Sequence, residues 1–105
     1  MSVKENVVEG TLVAEVKRHG GVAYKFSSPA RRNVPDRLVD LPGVPLFFVE
    51  CKRPGEKPRK AQEREHARLR SRGKTVWVID AVDQAKTLVA SVVHTGDPSI
   101  WETPF

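Results

Sequence analysis

The segment from Leu46 to Lys52 constrains the fold most, because four apolar residues are followed directly by charged ones. Leu46-Phe47-Phe48-Val49 is rich in aromatic and β-branched side chains, which favour strands. An extended chain points successive side chains to opposite faces, so a strand that is apolar at every position must be covered on both. The sequence therefore predicts a strand in the middle of a sheet, with Glu50-Cys51-Lys52 at its end.

A helix is predicted at the start of the chain. Apolar Val8, Leu12 and Val16 recur at helical spacing between Val3 and about Arg18. The Gly20-Gly21 pair that follows is typical of a helix C-terminus, where glycine accepts the left-handed conformation. We therefore expect the helix to end there.

Two shorter strands are predicted before the central one. Val22 to Ser27 alternates large apolar residues with smaller or charged ones, and this period predicts that Val22, Tyr24 and Phe26 form the buried face. A basic, proline-containing loop leads to a second alternating segment, Arg37–Leu41. Because a Pro-Gly turn joins that segment to the central strand, we expect those two strands to pair antiparallel.

The second half of the chain is predicted as helix, strand and helix: Lys60 to about Arg72, Thr75–Ile79 and Val82–Val93. The first of these helices has few apolar residues, and its inward stripe is predicted as Gln62, His66 and Leu69. The element order is then helix, three strands, helix, strand, helix. A chain of 105 residues suits one domain, so we predict a single mixed α/β domain over residues 1–105.

Composition limits the partners and the compartment. A formal net charge of +5 and a pI near 9.7 favour a polyanionic partner such as nucleic acid. Cys51, the single cysteine, excludes an intrachain disulfide and a cysteine-based zinc site. The longest apolar run is too short to span a bilayer, and the N-terminus lacks signal-peptide features, so we expect a cytoplasmic protein. His19, His66 and His94 lack metal-ligand spacing and are interpreted as surface or helix-packing residues.

The charged end of the central strand has the composition of a metal-assisted phosphodiester-cleaving site. Glu50 and Lys52 are two apart, so they share one face of the strand, and Asp36 begins the partner strand. Carboxylates bind hard divalent cations, and a lysine can stabilise phosphate charge. Cys51 points away as a core contact, although its backbone carbonyl could also bind Mg²⁺ or Mn²⁺. Glu15-Val16-Lys17 has the same spacing, but on a helix these positions diverge.

Further motifs surround these residues along nearly the whole chain: Glu9, Tyr24-Lys25-Phe26, Ser28-Pro29, Val34-Pro35-Asp36-Arg37, Phe48-Val49-Glu50-Cys51-Lys52, Gln62 and Gly73. Together they resemble the standalone viral VRR-NUC nucleases, which are relatives of the nuclease domain of the Fanconi-associated nuclease and members of the PD-(D/E)xK superfamily. One departure is Asn33, where the family usually has glycine. Asparagine accepts the left-handed conformation better than most residues, so we expect the turn to be kept.

This resemblance implies a restriction-endonuclease-like core and a metal-dependent endonuclease. It implies that Glu9, Asp36 and Glu50 bind Mg²⁺ or Mn²⁺, that Lys52 orients water or stabilises phosphate charge, and that Gln62 completes the site. It also implies a homodimer that cuts branched DNA such as Holliday junctions, in the cytoplasm of a bacterial host if the origin is viral.

Six basic residues are predicted to form a DNA-binding rim around the site: Lys25, Arg31, Arg32, Arg37, Arg53 and Lys60. Singly, each could equally be a solubilising charge. Two other functions stay open. One is a non-catalytic basic DNA-binding accessory module, and the other is an RNA-cleaving toxin, because phosphate contacts do not distinguish the sugars.

The site residues also have ordinary structural explanations. On composition alone, Glu9 would be a solvated helix carboxylate and Gln62 an exposed helix residue. Asp36 could cap a turn after Pro35, which is a common role for aspartate. The convergence of Asp36 with Glu50 favours the chemical interpretation.

Overall fold

The computed structural model describes residues 5–100. Three helices and four strands follow in this order: α1 Glu5–Arg18, β1 Val22–Lys25, β2 Arg37–Asp40, β3 Phe47–Cys51, α2 Lys60–Ser71, β4 Val76–Ile79 and α3 Val82–Thr95. The predicted element order and the mixed α/β class are confirmed. The predicted start of the first helix at Val3 lies outside the described residues. Within residues 5–100, no helix is both long and apolar enough to cross a membrane.

The four strands form one sheet in the order β1-β2-β3-β4. β1, β2 and β3 are antiparallel neighbours, which confirms the predicted β2–β3 pair, whereas β3 and β4 run parallel. Parallel strands need a crossover connection, and α2 supplies it. β3 lies between β2 and β4, so the apolar strand is interior to the sheet as predicted.

One face of the sheet carries the apolar core. α1 and α3 pack against each other and against this face, where β3 contributes Phe47, Val49 and Cys51, all without solvent exposure. The opposite face of β3 carries Glu50 and is covered by α2. Both faces of the strand end are therefore covered. Apolar side chains pack on one face, and the polar side chains of α2 contact the other.

The burial of β1 is opposite to the prediction. Ala23 is the buried residue, whereas Val22 and Tyr24 are 48% and 52% exposed. Ala23 pairs with Val39 and faces the core that α1 covers, and α1 approaches β1 closely enough to favour a small side chain. The other face of this edge strand lies beyond the reach of α2, which contacts β4. The alternating sequence therefore predicted the strand correctly, but the prediction of which face of β1 is buried was wrong.

Two further details of the sheet differ from the prediction. Leu46, expected inside the central strand, precedes β3 and is 57% exposed. Phe26, expected on the buried face of β1, lies just after that strand and is half-buried, with its ring 5.5 Å from the Phe48 ring. The Gly20-Gly21 helix end is confirmed: Gly20 has φ +83°, and the Gly21 N–H donates to the Val16 carbonyl.

Candidate active site

Three strand-end residues meet where β2 begins and β3 ends. Arg37 pairs with Val49, so Asp36 lies beside the Glu50-Cys51 segment. The Asp36 Oδ2 accepts a hydrogen bond of 2.9 Å from the Cys51 backbone N–H. This bond fixes the Asp36 carboxylate against the end of β3. The antiparallel register thus brings Asp36 and Cys51 together, although they are 15 positions apart in the sequence.

Glu50, Lys52 and Gln62 form a buried polar network. Lys52 Nζ donates to Gln62 Oε1 at 2.9 Å, and Gln62 Nε2 donates to Glu50 Oε2 at 3.1 Å. Lys52 Nζ also lies 3.3 Å from Glu50 Oε2, which makes a buried ion pair. Each of the three residues is at least nine-tenths buried. The geometry brings together all three side chains as predicted.

The first turn of α2 delivers Gln62 to this network. Gln62 Oε1 accepts a second hydrogen bond, of 2.9 Å, from the backbone N–H of Arg59, the residue before the helix. A free N–H at a helix start needs such a partner. With two donors on Oε1, the amide nitrogen is left to face Glu50. The side chain therefore joins the helix start to both charged residues of β3.

These residues line one pocket of about 400 Å³, whose walls are Asp36, Glu50, Lys52, Glu56, Lys57, Arg59 and Gln62. Its buried part holds Glu50 and Lys52 beside Asp36, and its exposed part adds Lys57, Arg59 and the Glu56 carboxylate, whose Oε1 lies 3.8 Å from Lys52 Nζ. Lys57 and Arg59 could contact an anionic substrate, and the carboxylates deeper in the pocket could bind a divalent cation. Lys57 and Arg59 were missed by the sequence analysis, because nothing in their spacing separates them from surface charges.

The donor set fits a hard divalent cation that keeps most of its water. Over residues 5–100, no three His, Cys, Asp or Glu side chains are gathered as a metal site. Mg²⁺ is commonly held by only one or two carboxylates, with substrate phosphate and water as the other ligands. Asp36 and Glu50 in the pocket meet that requirement.

Glu9 lies outside the residues that line this pocket. Its Oε2 accepts a hydrogen bond of 2.7 Å from Arg37 Nε, and both side chains are largely buried. Arg37 Nη1 also donates to the Ala23 carbonyl at 3.0 Å. The two residues thus tie α1 to β1 and β2. For Glu9 to reach a metal, or for Arg37 to reach DNA, this ion pair would have to open.

The Cys51 thiol is a core group. It points to the face opposite Glu50 and has no solvent exposure. Burial raises the pKa of the thiol far above its ordinary value, and the nearby Asp36, Glu9 and Glu50 carboxylates raise it further. The sulfur is therefore protonated and unsuited to nucleophilic attack.

The other predicted rim residues divide into free and anchored ones. Lys25, Arg32, Arg53 and Lys60 are exposed. Arg31 is about half exposed, but its Nε donates to Glu65 Oε1 at 2.7 Å, which ties the loop before β2 to α2. Arg68 contacts the same carboxylate at 3.0 Å.

A second pocket of about 460 Å³ lies between this loop and α2, lined by Ala30, Arg31, Arg32, Asn33, Ala61, Arg64 and Glu65. Asn33 has φ +66°, so it adopts the left-handed conformation expected of a glycine there. The loop therefore keeps its turn despite the substitution. Glu65 was missed as a structural anchor, because a carboxylate in a highly charged helix gives no sequence signal of burial.

Comparison with known proteins places the chain among nuclease-like sequences and folds. No protein-family profile matches it. It is 54% identical over 88 residues to "Putative nuclease p44" of Acyrthosiphon pisum secondary endosymbiont phage 1, which covers 84% of this chain and 95% of the relative. A solved structure described as "VRR_NUC domain" matches with a TM-score of 0.77 and 36% identity over 85% of this chain and 97% of its own. A second, "VRR_NUC domain protein", matches with a TM-score of 0.70 and 17% identity over 97% and 98% of the two chains, which supports the fold alone.

Proposed function

The chain belongs to the VRR-NUC family of nucleases, with its restriction-endonuclease-like fold, and we propose that it is a Mg²⁺- or Mn²⁺-dependent endonuclease that hydrolyses DNA phosphodiester bonds. The observation that carries the proposal is the buried contact between Glu50, Gln62 and Lys52 in the pocket that also holds Asp36. Burying a carboxylate and an ammonium group costs solvation, and a substrate site is a reason to keep them there. We assign its action to the cytoplasm of a bacterial host.

Asp36 and Glu50 would hold the cation, with the Cys51 backbone carbonyl as a further oxygen ligand. Bound there, a divalent cation would lower the pKa of a water ligand and polarise the phosphate. The resemblance adds Glu9 as a ligand, which requires release of Arg37. Asp36 is already oriented by the Cys51 N–H, so little rearrangement is needed at that ligand.

Lys52 would stabilise the charge that develops on the phosphate, or position the attacking water. Its ammonium group is held at the pocket by Gln62 at 2.9 Å and by Glu50 at 3.3 Å. A donor that is fixed before the substrate arrives loses little energy to reorganisation during the reaction. Gln62 therefore contributes to the reaction by fixing the positions of the Lys52 and Glu50 side chains relative to each other.

The test is cleavage of labelled duplex DNA by the purified chain with Mg²⁺ or Mn²⁺. Glu50→Gln and Lys52→Met remove one charge each at nearly constant volume, and we expect each to lower the rate by about 100-fold or more. Glu15→Gln and Lys17→Met are the matched controls, because they alter the same three-residue spacing on α1, away from the pocket. The controls should cut like the wild type.

Two outcomes would replace the proposal. Metal-dependent DNA binding with no cleavage by the wild type would indicate the non-catalytic accessory module. Faster cleavage of RNA than of DNA of the same sequence would indicate the RNA-cleaving toxin. Equal cleavage by the wild type, Glu50→Gln and Lys52→Met would show that the pocket is not the site.

The second part of the proposal is a homodimer that cuts branched DNA such as Holliday junctions. The resemblance suggests it, and exposed apolar residues at the sheet support it, because Val22 and Tyr24 of β1 and Leu46 just before β3 are left about half exposed. Exposed apolar patches commonly mark interaction surfaces. A two-fold dimer would suit paired incisions in a four-way junction.

Sedimentation of the wild type, alone and on a four-way junction, tests the dimer. We expect two chains per complex and faster cleavage of the junction than of linear duplex. A Tyr24→Asp, Leu46→Asp double variant should sediment as a monomer, because it places charges in the proposed interface. Val93→Asp, which charges an exposed apolar position on α3, is the control and should stay dimeric. A wild type that is monomeric even on the junction would end the paired-cut model.

A further inference from the structure

His66 lies directly beneath the candidate metal ligand Glu50. It is on α2, one turn after Gln62, and is 1% exposed. Its Nε2 lies 3.8 Å from Glu50 Oε1, and Glu50 itself is 2% exposed. Helical spacing predicts that His66 lies on the inward stripe of this helix, and from sequence it has only a surface or packing role.

The two facing atoms share an unusual property. Glu50 Oε1 and His66 Nε2 are the buried side-chain atoms without a hydrogen-bond partner among those of the described residues. Folded proteins rarely leave such atoms unpaired, because a buried polar group that has lost water needs another partner. Two unpaired atoms that face each other are most simply explained as partners of one another.

The two oxygens of Glu50 have different surroundings. Oε2 is contacted by Gln62 and by Lys52, which both line the pocket, whereas Oε1 is turned towards His66 inside the protein. A contact at Oε1 therefore determines the rotation of the carboxylate about its own axis. That rotation decides which oxygen is presented to a ligand in the pocket.

We propose that His66 is a positioning residue: its Nε2–H donates to Glu50 Oε1 and holds Oε2 towards the divalent cation. This inference rests on the proposed function, because it assigns a role to His66 only if Glu50 binds metal. N–H···O bonds are about 2.9 Å long, so the present 3.8 Å separation would close by roughly 0.9 Å on metal binding. Residues behind metal ligands commonly orient them in this way.

The experiment measures Mn²⁺ affinity of the full chain without DNA, by electron paramagnetic resonance of the free ion. Three variants separate donation from packing. His66→Gln can place an amide N–H near the Nε2 position, His66→Asn carries the same amide on a shorter arm, and His66→Leu fills the space without a donor. Val89→Ala is the stability control, because it opens the core on the other side of the sheet.

We expect His66→Leu and His66→Asn to weaken Mn²⁺ binding by about 10- to 100-fold, the range for residues that orient metal ligands. His66→Gln should recover most of the affinity. Val89→Ala should lower the thermal midpoint and leave the affinity unchanged. In cleavage assays at saturating Mn²⁺, the KM for DNA should stay near that of the wild type in every variant. If His66→Leu does not fold, the Gln and Asn pair carries the comparison.

Four outcomes would overturn the inference. Wild-type affinity in His66→Leu would show that no donor is needed, and wild-type affinity in His66→Asn would show that the donor need not stand at the Nε2 position. Equal losses in His66→Gln and His66→Asn, scaling with lost stability as in Val89→Ala, would show a packing role. Absence of Mn²⁺ binding by the wild type itself would instead remove the metal site of the proposed function, and the inference with it.

Discussion

Lys52 and Glu50 show how much the site depends on single side chains. Both charges are almost fully removed from water, which costs solvation energy, and they are compensated by each other and by the Gln62 amide. If one partner is removed, the remaining charge is left buried. The geometry is therefore rigid because each group needs the other two, and this is the property that a preorganised site requires.

Glu65 gives a prediction at the same scale. Arg68, and then Arg31, hold the pKa of its carboxyl below the ordinary value of 4.5. A carboxyl with a lowered pKa stabilises the fold fully above its unfolded value and loses that contribution as the pH falls through the folded value. We expect the free energy of unfolding of the wild type to drop below pH 4.5 more steeply than that of Glu65→Gln.

Denaturant unfolding between pH 3 and 7 measures this difference. Glu63→Gln is the matched control, because Glu63 is exposed on the same helix. Its pH profile should follow that of the wild type. Identical acid profiles for Glu65→Gln and the wild type would contradict the pairing of Glu65 with Arg68 and Arg31.

Among the connections between elements, the one from α1 to β1 passes unusually close to the end of β2. A Cβ built on Gly21 would lie 2.3 Å from the Asp40 carbonyl oxygen and 2.9 Å from the Leu41 side chain. Backbone cannot yield as a flexible side chain can, so we expect Gly21→Ala to lower the free energy of unfolding by about 1–3 kcal/mol.

Gly10→Ala, within α1 itself, is the control. Nothing lies within 4 Å of a Cβ at that position, so alanine should stabilise α1 by about 0.5–1 kcal/mol through its higher helix propensity. Chemical denaturation of both variants gives opposite signs if the approach of Gly21 to β2 is as close as described. The same sign in both would contradict it.

The sequence predicted the elements better than it predicted their faces. The apolar run of β3 and the glycine pair after α1 are local signals, and they placed the strand and the end of the helix to within two residues. The burial of Ala23 instead of Tyr24 depends on which face of the sheet α1 covers, and that is a tertiary choice.

The site divides in the same way. Glu50 and Lys52 share a strand face by period alone, whereas Asp36 needs the antiparallel register and Gln62 needs the crossover of α2. The resemblance supplied Gln62 in advance. His66 was not distinguished, because helical spacing places it on the inward stripe without saying which atom it faces.

The whole molecule carries a net charge of +5, and exposed basic residues include Lys60 at the start of α2 and Arg32 at the second pocket. We expect the affinity for duplex DNA to fall linearly with salt on logarithmic axes, because phosphate contacts release counterions. Arg32→Ala and Lys60→Ala should each reduce the slope by about one.

Arg18→Ala is the control for this titration. It removes the same charge from the exposed end of α1. This end of the helix leads into the start of β1, where Val22 pairs with Asp40. That end of the sheet is the one away from Asp36. Fluorescence anisotropy at several salt concentrations should give it the wild-type slope. If Arg18→Ala and Arg32→Ala changed the slope equally, binding would reflect overall charge and not a defined surface.

The position of Gln62 links the assembly of the pocket to the formation of α2. Glu50 and Lys52 are synthesised before the residues of α2, yet the amide that joins them is fixed only when the helix has formed over the sheet and Arg59 donates to it. A chain whose α2 has frayed would therefore retain its acidic and basic side chains without their alignment. Local opening of the first turn of α2 would abolish activity reversibly, under conditions where the rest of the protein stays folded. The rate of amide hydrogen exchange at the start of α2 would then measure the fraction of molecules that are inactive.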